Sequence, residues 1–127
     1  MSNPLEMKLT EELCSELESI EKNYAIIKDI LSGTTFEHSR VKETLQSFKD
    51  NLSKVNSLFG LISQVKAKGT TLSIPINPIL KTLDFALVLI ELYPQQNPSS
   101  FIQLALALSD TKIENVMALL LLLKKLM

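Results

Sequence analysis

Val41, Leu45, Phe48, Leu52, Val55, Phe59 and Ile62 follow one another at alternating steps of four and three. An apolar period of 3.5 residues keeps one stripe along one side of a long helix, and such a stripe is useful only where another helix lies along it. The chain is therefore constrained to fold by pairing helices. Leu13, Leu17, Ile20, Tyr24, Ile27 and Leu31 repeat the pattern in the segment before, until Ser32-Gly33 stops it.

The first helix is expected to begin near Thr10, a candidate N-cap followed by Glu11 and Glu12, whose charge suits the positive end of the helix dipole. The second is expected from Thr34 or Thr35 to about Lys68, closing on Gly69, a rod of about 50 Å. Residues 1–31 carry seven acidic groups against three lysines, whereas residues 34–68 carry six basic groups against three acidic ones. With only a short turn between them, opposite charge favours an antiparallel hairpin, although each exposed pair contributes only some tenths of a kcal/mol. A heptad also serves intermolecular coiled coils, and the pattern alone leaves both arrangements open. Leu58, Leu61 and Val65 form a second apolar edge on this helix, to be covered by the rest of the chain or by another protein.

Leu72-Ser73-Ile74-Pro75-Ile76 reads as an extended strap, since its proline and Pro78 oppose a helix through it. Asn77-Pro78 and Asn97-Pro98 each place an N-cap asparagine before a first-turn proline, so helices are expected from about Pro78 to Leu92 and Pro98 to Leu108. A last helix follows Thr111, whose spacing to Glu114 suits a capping box. From Leu72 to the end only eight residues are charged: Lys81, Asp84, Glu91, Asp110, Lys112, Glu114, Lys124 and Lys125. The expected fold is all-α: a long antiparallel heptad hairpin (residues 1–69), then the strap and about three short, strongly apolar helices (residues 70–127) packing on it as one structural unit. A domain this small cannot surround three such helices, so some of their surface is expected to meet other protein.

Chemistry-bearing residues are sparse. His38 is the only histidine, Cys14 the only cysteine, and Gly33, Gly60 and Gly69 the only glycines, so the chain offers no His-rich metal site, no internal disulfide and no phosphate-cradling loop. Asp84 and Glu91 lie on one helical face but two turns apart, too far to share a proton, and read as a solvated or partner-facing stripe beside Lys81. No catalytic residue, cofactor or metal is expected. A net charge of −1 with Arg40 as the single arginine argues against direct nucleic-acid binding. The longest uncharged, strongly apolar run, Asn115 to Leu123, is too short to span a bilayer, and the N-terminus lacks a secretory signal, so an intracellular location is expected.

The order of features, with Ile74-Pro75-Ile76, Asn97-Pro98 and Phe101 after two amphipathic helices, resembles the Mediator subunit ten family, a small helical subunit of the Mediator middle module. Where that family has Gly-Arg before its Asn-Pro, this chain has Gln95-Gln96. The resemblance implies a nuclear, non-enzymatic scaffold of transcription regulation that contacts neighbouring helical subunits and not DNA. Expected interaction residues are Leu45, Phe48, Leu52, Val55 and Phe59 on the hairpin seam, and Phe101, Leu104, Leu120 and Leu123 in the apolar half. Such a chain should self-associate when isolated. The competing expectation is a self-contained helical domain that binds an apolar ligand or a membrane surface.

Overall fold

In a computed structural model, residues 4–66 and 74–126 are described, the side chains of Glu6 and of residues 62–66 aside. The described residues form five helices and no strand, an all-α fold: α1 (Pro4–Leu31), α2 (His38–Lys66), α3 (Ile76–Leu92), α4 (Pro98–Leu108) and α5 (Ile113–Leu126). Lys68, Gly69, Leu72 and Ser73, expected at the end of the second helix and in the strap, lie outside the described residues.

α1 and α2 lie side by side and run in opposite directions. Glu16 meets Lys54, Asn23 meets Ser47 and Asn51, and the ring of Tyr24 stacks on Phe48 with centroids 6.2 Å apart. The stripe Val41, Leu45, Phe48, Leu52 and Val55 is almost wholly removed from water, with Phe59 half-buried behind it, and Leu13, Leu17, Ile20 and Ile27 face it from α1. Leu58 of the second edge is buried and Leu61 exposed.

The stripe is wider than a two-helix seam because α2 has two neighbours. On one shoulder a hydrogen-bonded chain joins it to α1: Asn51 donates to the Glu16 carboxylate (2.7 Å) and accepts from Asn23 (2.9 Å). On the other shoulder Lys42 pairs with Glu91, Lys49 with Asp84, and Asn56 donates to Asn77 (3.2 Å), tying α2 to α3. These three pairs step by seven along both helices in opposite senses, so α3 runs antiparallel to α2 in a defined register. Asp84 and Glu91, expected to form a solvated or partner-facing stripe, are exposed and also pair with lysines of α2.

α3 turns Ile76, Ile79, Leu83, Ala86 and Ile90 inward, α4 adds Ile102 and Ala105, and α5 adds Ile113, Val116, Met117 and Leu120. All join one core with the stripes of α1 and α2. The two buried hydroxyls are satisfied within their own helices, Thr44 donating to the Arg40 carbonyl and Thr82 to that of Pro78. α4 packs on α3 and α1, where Ser99 donates to the Ile30 carbonyl (3.2 Å), and α5 packs on α1, where Lys124 reaches Glu21 (3.0 Å).

Several helix ends differ from expectation. α1 begins at Pro4, not Thr10, since proline is tolerated in a first turn and the extra turns bury Leu9. It ends in a Schellman turn: Gly33, at φ +105, donates to the Ile30 carbonyl and Thr34 to that of Asp29. α2 then starts at His38, because Thr34 to Glu37 lie outside any helix while Phe36 packs half-buried on the core. α3 starts at Ile76, one residue before Asn77, with Pro75 at the cap, and Pro78 occupies the first turn where its missing N–H costs nothing. α5 starts at Ile113 on the Lys112 carbonyl, leaving Thr111 one residue outside the cap and the expected capping box unformed. Asn97 is the N-cap of α4 as its pattern indicates, accepting from the Ser99 amide (3.0 Å) with Pro98 at the first position.

Truncating the centre of the stripe tests this hierarchy. Phe48→Ala should lower the unfolding free energy by about 3–5 kcal/mol, whereas Lys49→Ala, which removes a partly exposed ion pair, should cost less than about 1 kcal/mol. Urea denaturation followed by circular dichroism separates the two, and comparable losses would contradict the dominance of the stripe.

Candidate interaction surface

The expected interaction residues divide by burial. Leu45, Phe48, Leu52, Val55 and Leu120 are fully enclosed by the chain's own helices. Phe59, Phe101 and Leu123 are half-buried and pack against the core, and Leu104 is exposed. The enclosed five hold the helices together, and Leu104 points to what remains outside.

What remains outside is ordered. α3 exposes Phe85, Val88 and Leu92; α4 shows the half-buried Phe101 and the exposed Leu104 and Leu108; α5 exposes Leu119, Leu122 and Leu126. Each set steps by three and then four residues, the same spacing that drives the core stripe of α2. The last member of each, Leu92, Leu108 and Leu126, keeps 64, 66 and 76% of its surface exposed. Single exposed leucines are ordinary, but these stripes repeat the spacing at which helices pair. Sequence pattern missed this division because the apolar positions of α3 occupy nearly every side of the helix, so the inward and outward stripes overlap.

The link between α3 and α4 is held by local contacts. Pro94 sits in a turn closed by Gln96 donating to the Tyr93 carbonyl, and the rings of Tyr93 and Phe101 lie 5.8 Å apart. From Leu92 to Ser109 no residue carries a formal charge. The face of α4 thus offers only uncharged groups, apolar side chains with the Ser100 hydroxyl and the Gln103 amide beside them.

The face of α3 is different, because the ion pairs to α2 border it. Lys42, Lys49, Asp84, Leu87, Val88 and Glu91 line a groove of about 470 Å³ between the two helices. The hydrogen bond and charge of Lys42 hold the Glu91 carboxyl below the ordinary glutamate range, with His38 adding a smaller effect in the same direction. A heptad match between Lys42, Lys49 and Asn56 on one helix and Glu91, Asp84 and Asn77 on the other was the sequence signal for this register.

A second groove, of about 370 Å³, runs between α1 and the ends of α4 and α5, with Ile27 and Ile113 in its floor and Lys28 and Glu114 at its rim. Burial, and then the nearby Glu114 carboxylate, raise the pKa of Tyr24 at its edge, while the Lys28 ammonium lies 5.3 Å from the Tyr24 ring centre. Cys14 is a half-buried free thiol on α1, and Nε2 of His38 is enclosed without a hydrogen-bond partner. Among the described residues no group of three or more His, Cys, Asp or Glu is disposed to hold a metal ion, and no helix is long and apolar enough to cross a membrane.

No protein-family model, no curated protein and no solved structure matches the chain. The functional argument therefore rests on the geometry of this surface.

The Lys42–Glu91 pair makes a pH-dependent contribution. A carboxyl whose folded pKa is depressed stabilises the fold above its unfolded pKa, and that contribution is lost as pH falls through the folded value. An NMR titration of the Glu91 carboxyl should give a midpoint below the ordinary glutamate value that moves back up in Lys42→Ala. An unchanged midpoint in the variant would show that the pair does not persist in solution.

Proposed function

We propose that this chain is a non-enzymatic helical scaffold subunit of a larger protein complex. The α1–α2 hairpin, braced by α3, forms a rigid frame, and the outward stripes of α3, α4 and α5 receive helices of neighbouring subunits. The observation that carries this reading is the triple recurrence of apolar residues at steps of three and four, all exposed except the half-buried Phe101, on helices whose other faces already fill the core. Partner helices would lay apolar faces along these stripes, with Leu104, Leu108, Leu119 and Leu122 as anchors.

Among such complexes, a Mediator-like transcription coactivator, and with it a nuclear location, is nominated by the sequence resemblance alone. The residues carrying that resemblance also have local roles: Ile74 and Ile76 are buried in the core, Asn97 caps α4, and Phe101 packs on Tyr93.

Affinity capture of the full chain from its native source, with mass spectrometry of stoichiometric partners, tests the assignment. The doubly substituted Leu104→Asp/Leu122→Asp chain should keep its helical circular dichroism, because both side chains are exposed, and lose those partners. Capture of the same partners in unchanged amounts by the substituted chain would sink the reading.

A further inference from the structure

We propose that the outer face of α3 is a homodimer seam, on which a second copy of this chain lays its own α3 antiparallel across a two-fold axis. This inference rests on the reading that the outward stripes are assembly surfaces, and it commits one of them to a partner.

Lys81, Phe85, Val88 and Leu92 follow one another at steps of four, three and four, and all four are exposed. That is the coiled-coil period on the side of α3 opposite Ile79, Leu83, Ala86 and Ile90. A two-fold axis between positions 86 and 87 sets Phe85 of each copy against Val88 of the other. The same operation brings Lys81 level with Leu92 of the second copy and beside its Glu91 carboxylate.

Charge selects both the direction and the occupant. Among the described residues Lys81 has no acidic partner within its own chain, and the Glu91 side chain keeps 66% of its surface in water despite its pair with Lys42. Parallel packing would place the two Lys81 ammonium groups in one layer, a repulsive arrangement. Antiparallel packing instead places each Lys81 beside the exposed side of the other copy's Glu91, a carboxylate it shares with that copy's Lys42. Asp84 and Glu91 of the two copies do fall on one flank, but each already holds a lysine of its own chain, so that flank is neutral. One helix face, with Lys81, Phe85, Val88 and Leu92 and the neighbouring Glu91, thus supplies both surfaces and both charges, the self-complementarity that an isologous interface requires. The charge-free face of α4 has no such polarity, and on α5 antiparallel pairing of the outward stripe would set the Asn115 amide against Leu126.

Light scattering on the eluting full chain, over a wide concentration range, should give twice the single-chain mass of 14.2 kDa. Val88→Lys should return it to the single-chain mass with helical content unchanged, Lys81→Glu should weaken the dimer several-fold, and Leu122→Lys on α5 should leave it intact. In a Cys14→Ser background, mixing Phe85→Cys and Val88→Cys copies should yield the mixed disulfide on oxidation, while Leu92→Cys alone should not cross-link. A single-chain mass at every concentration, self-association that Val88→Lys does not reduce, or ready cross-linking of Leu92→Cys overturns the seam. A monomer that still captures partners through Leu104 and Leu122 refutes the seam but not the scaffold role. A dimer dissolved by Val88→Lys, in a chain that captures nothing else, refutes the scaffold role and upholds the seam.

Discussion

Removal of one apolar stripe from water holds this molecule together. Phe48 and the leucines and valines on either side of it occupy the space between α1 and α3, and each such side chain, fully buried, is worth about 1.5–3 kcal/mol. The helices that do not touch this stripe depend on it at one remove. α4 rests on α3 and α1, α5 rests on α1, and both present their buried residues to a core whose floor the stripe provides. Without α2 in the middle, α4 would be the main bridge left between α1 and α3.

Polar groups do a different job. The Glu16–Asn51–Asn23 chain on one shoulder of α2 and the Lys42–Glu91, Lys49–Asp84 and Asn56–Asn77 pairs on the other sit at the margin of the apolar stripe. Exposed pairs of this kind contribute little to stability, but the full set is matched in only one alignment of its helices. Hydrophobic burial sets how strongly the helices adhere, and the shoulders set where they stop sliding. The apolar surface left over on α3, α4 and α5 serves neither purpose, and its regular spacing is what supports the proposed contacts with other chains.

The residues that declare themselves in sequence are those whose role is local or periodic. Asn97-Pro98 announces a helix start because both the cap and the missing proline N–H are satisfied within one turn, and Ser32-Gly33 announces a stop because only glycine readily adopts the left-handed φ that the turn needs. The stripe of α2 is legible for the same reason: 3.5-residue spacing has one physical use. Thr10 and Thr111 mislead because a capping residue is a permission and not a command; burial of Leu9 carries α1 past the first, and the turn at Ser109 moves the start of α5 beyond the second. Asp84 and Glu91 could not be placed from α3 alone, since their partners stand on another helix. On α3 itself, apolar residues on both faces concealed which of them look outward.

The polar register between α2 and α3 has a consequence for how α3 can vary in length. A shift of one turn leaves all three pairs unmatched, yet a shift of seven residues, about 10.5 Å of helix, brings Lys42 against Asp84 and Lys49 against Asn77. The pairs therefore reject small errors and tolerate a whole heptad, and the proline-marked ends at Pro75 and Pro94 are what hold the longer count. An insertion of four residues into α3 would break the match with α2, whereas one of seven could lengthen the bundle by a full repeat and leave its register intact.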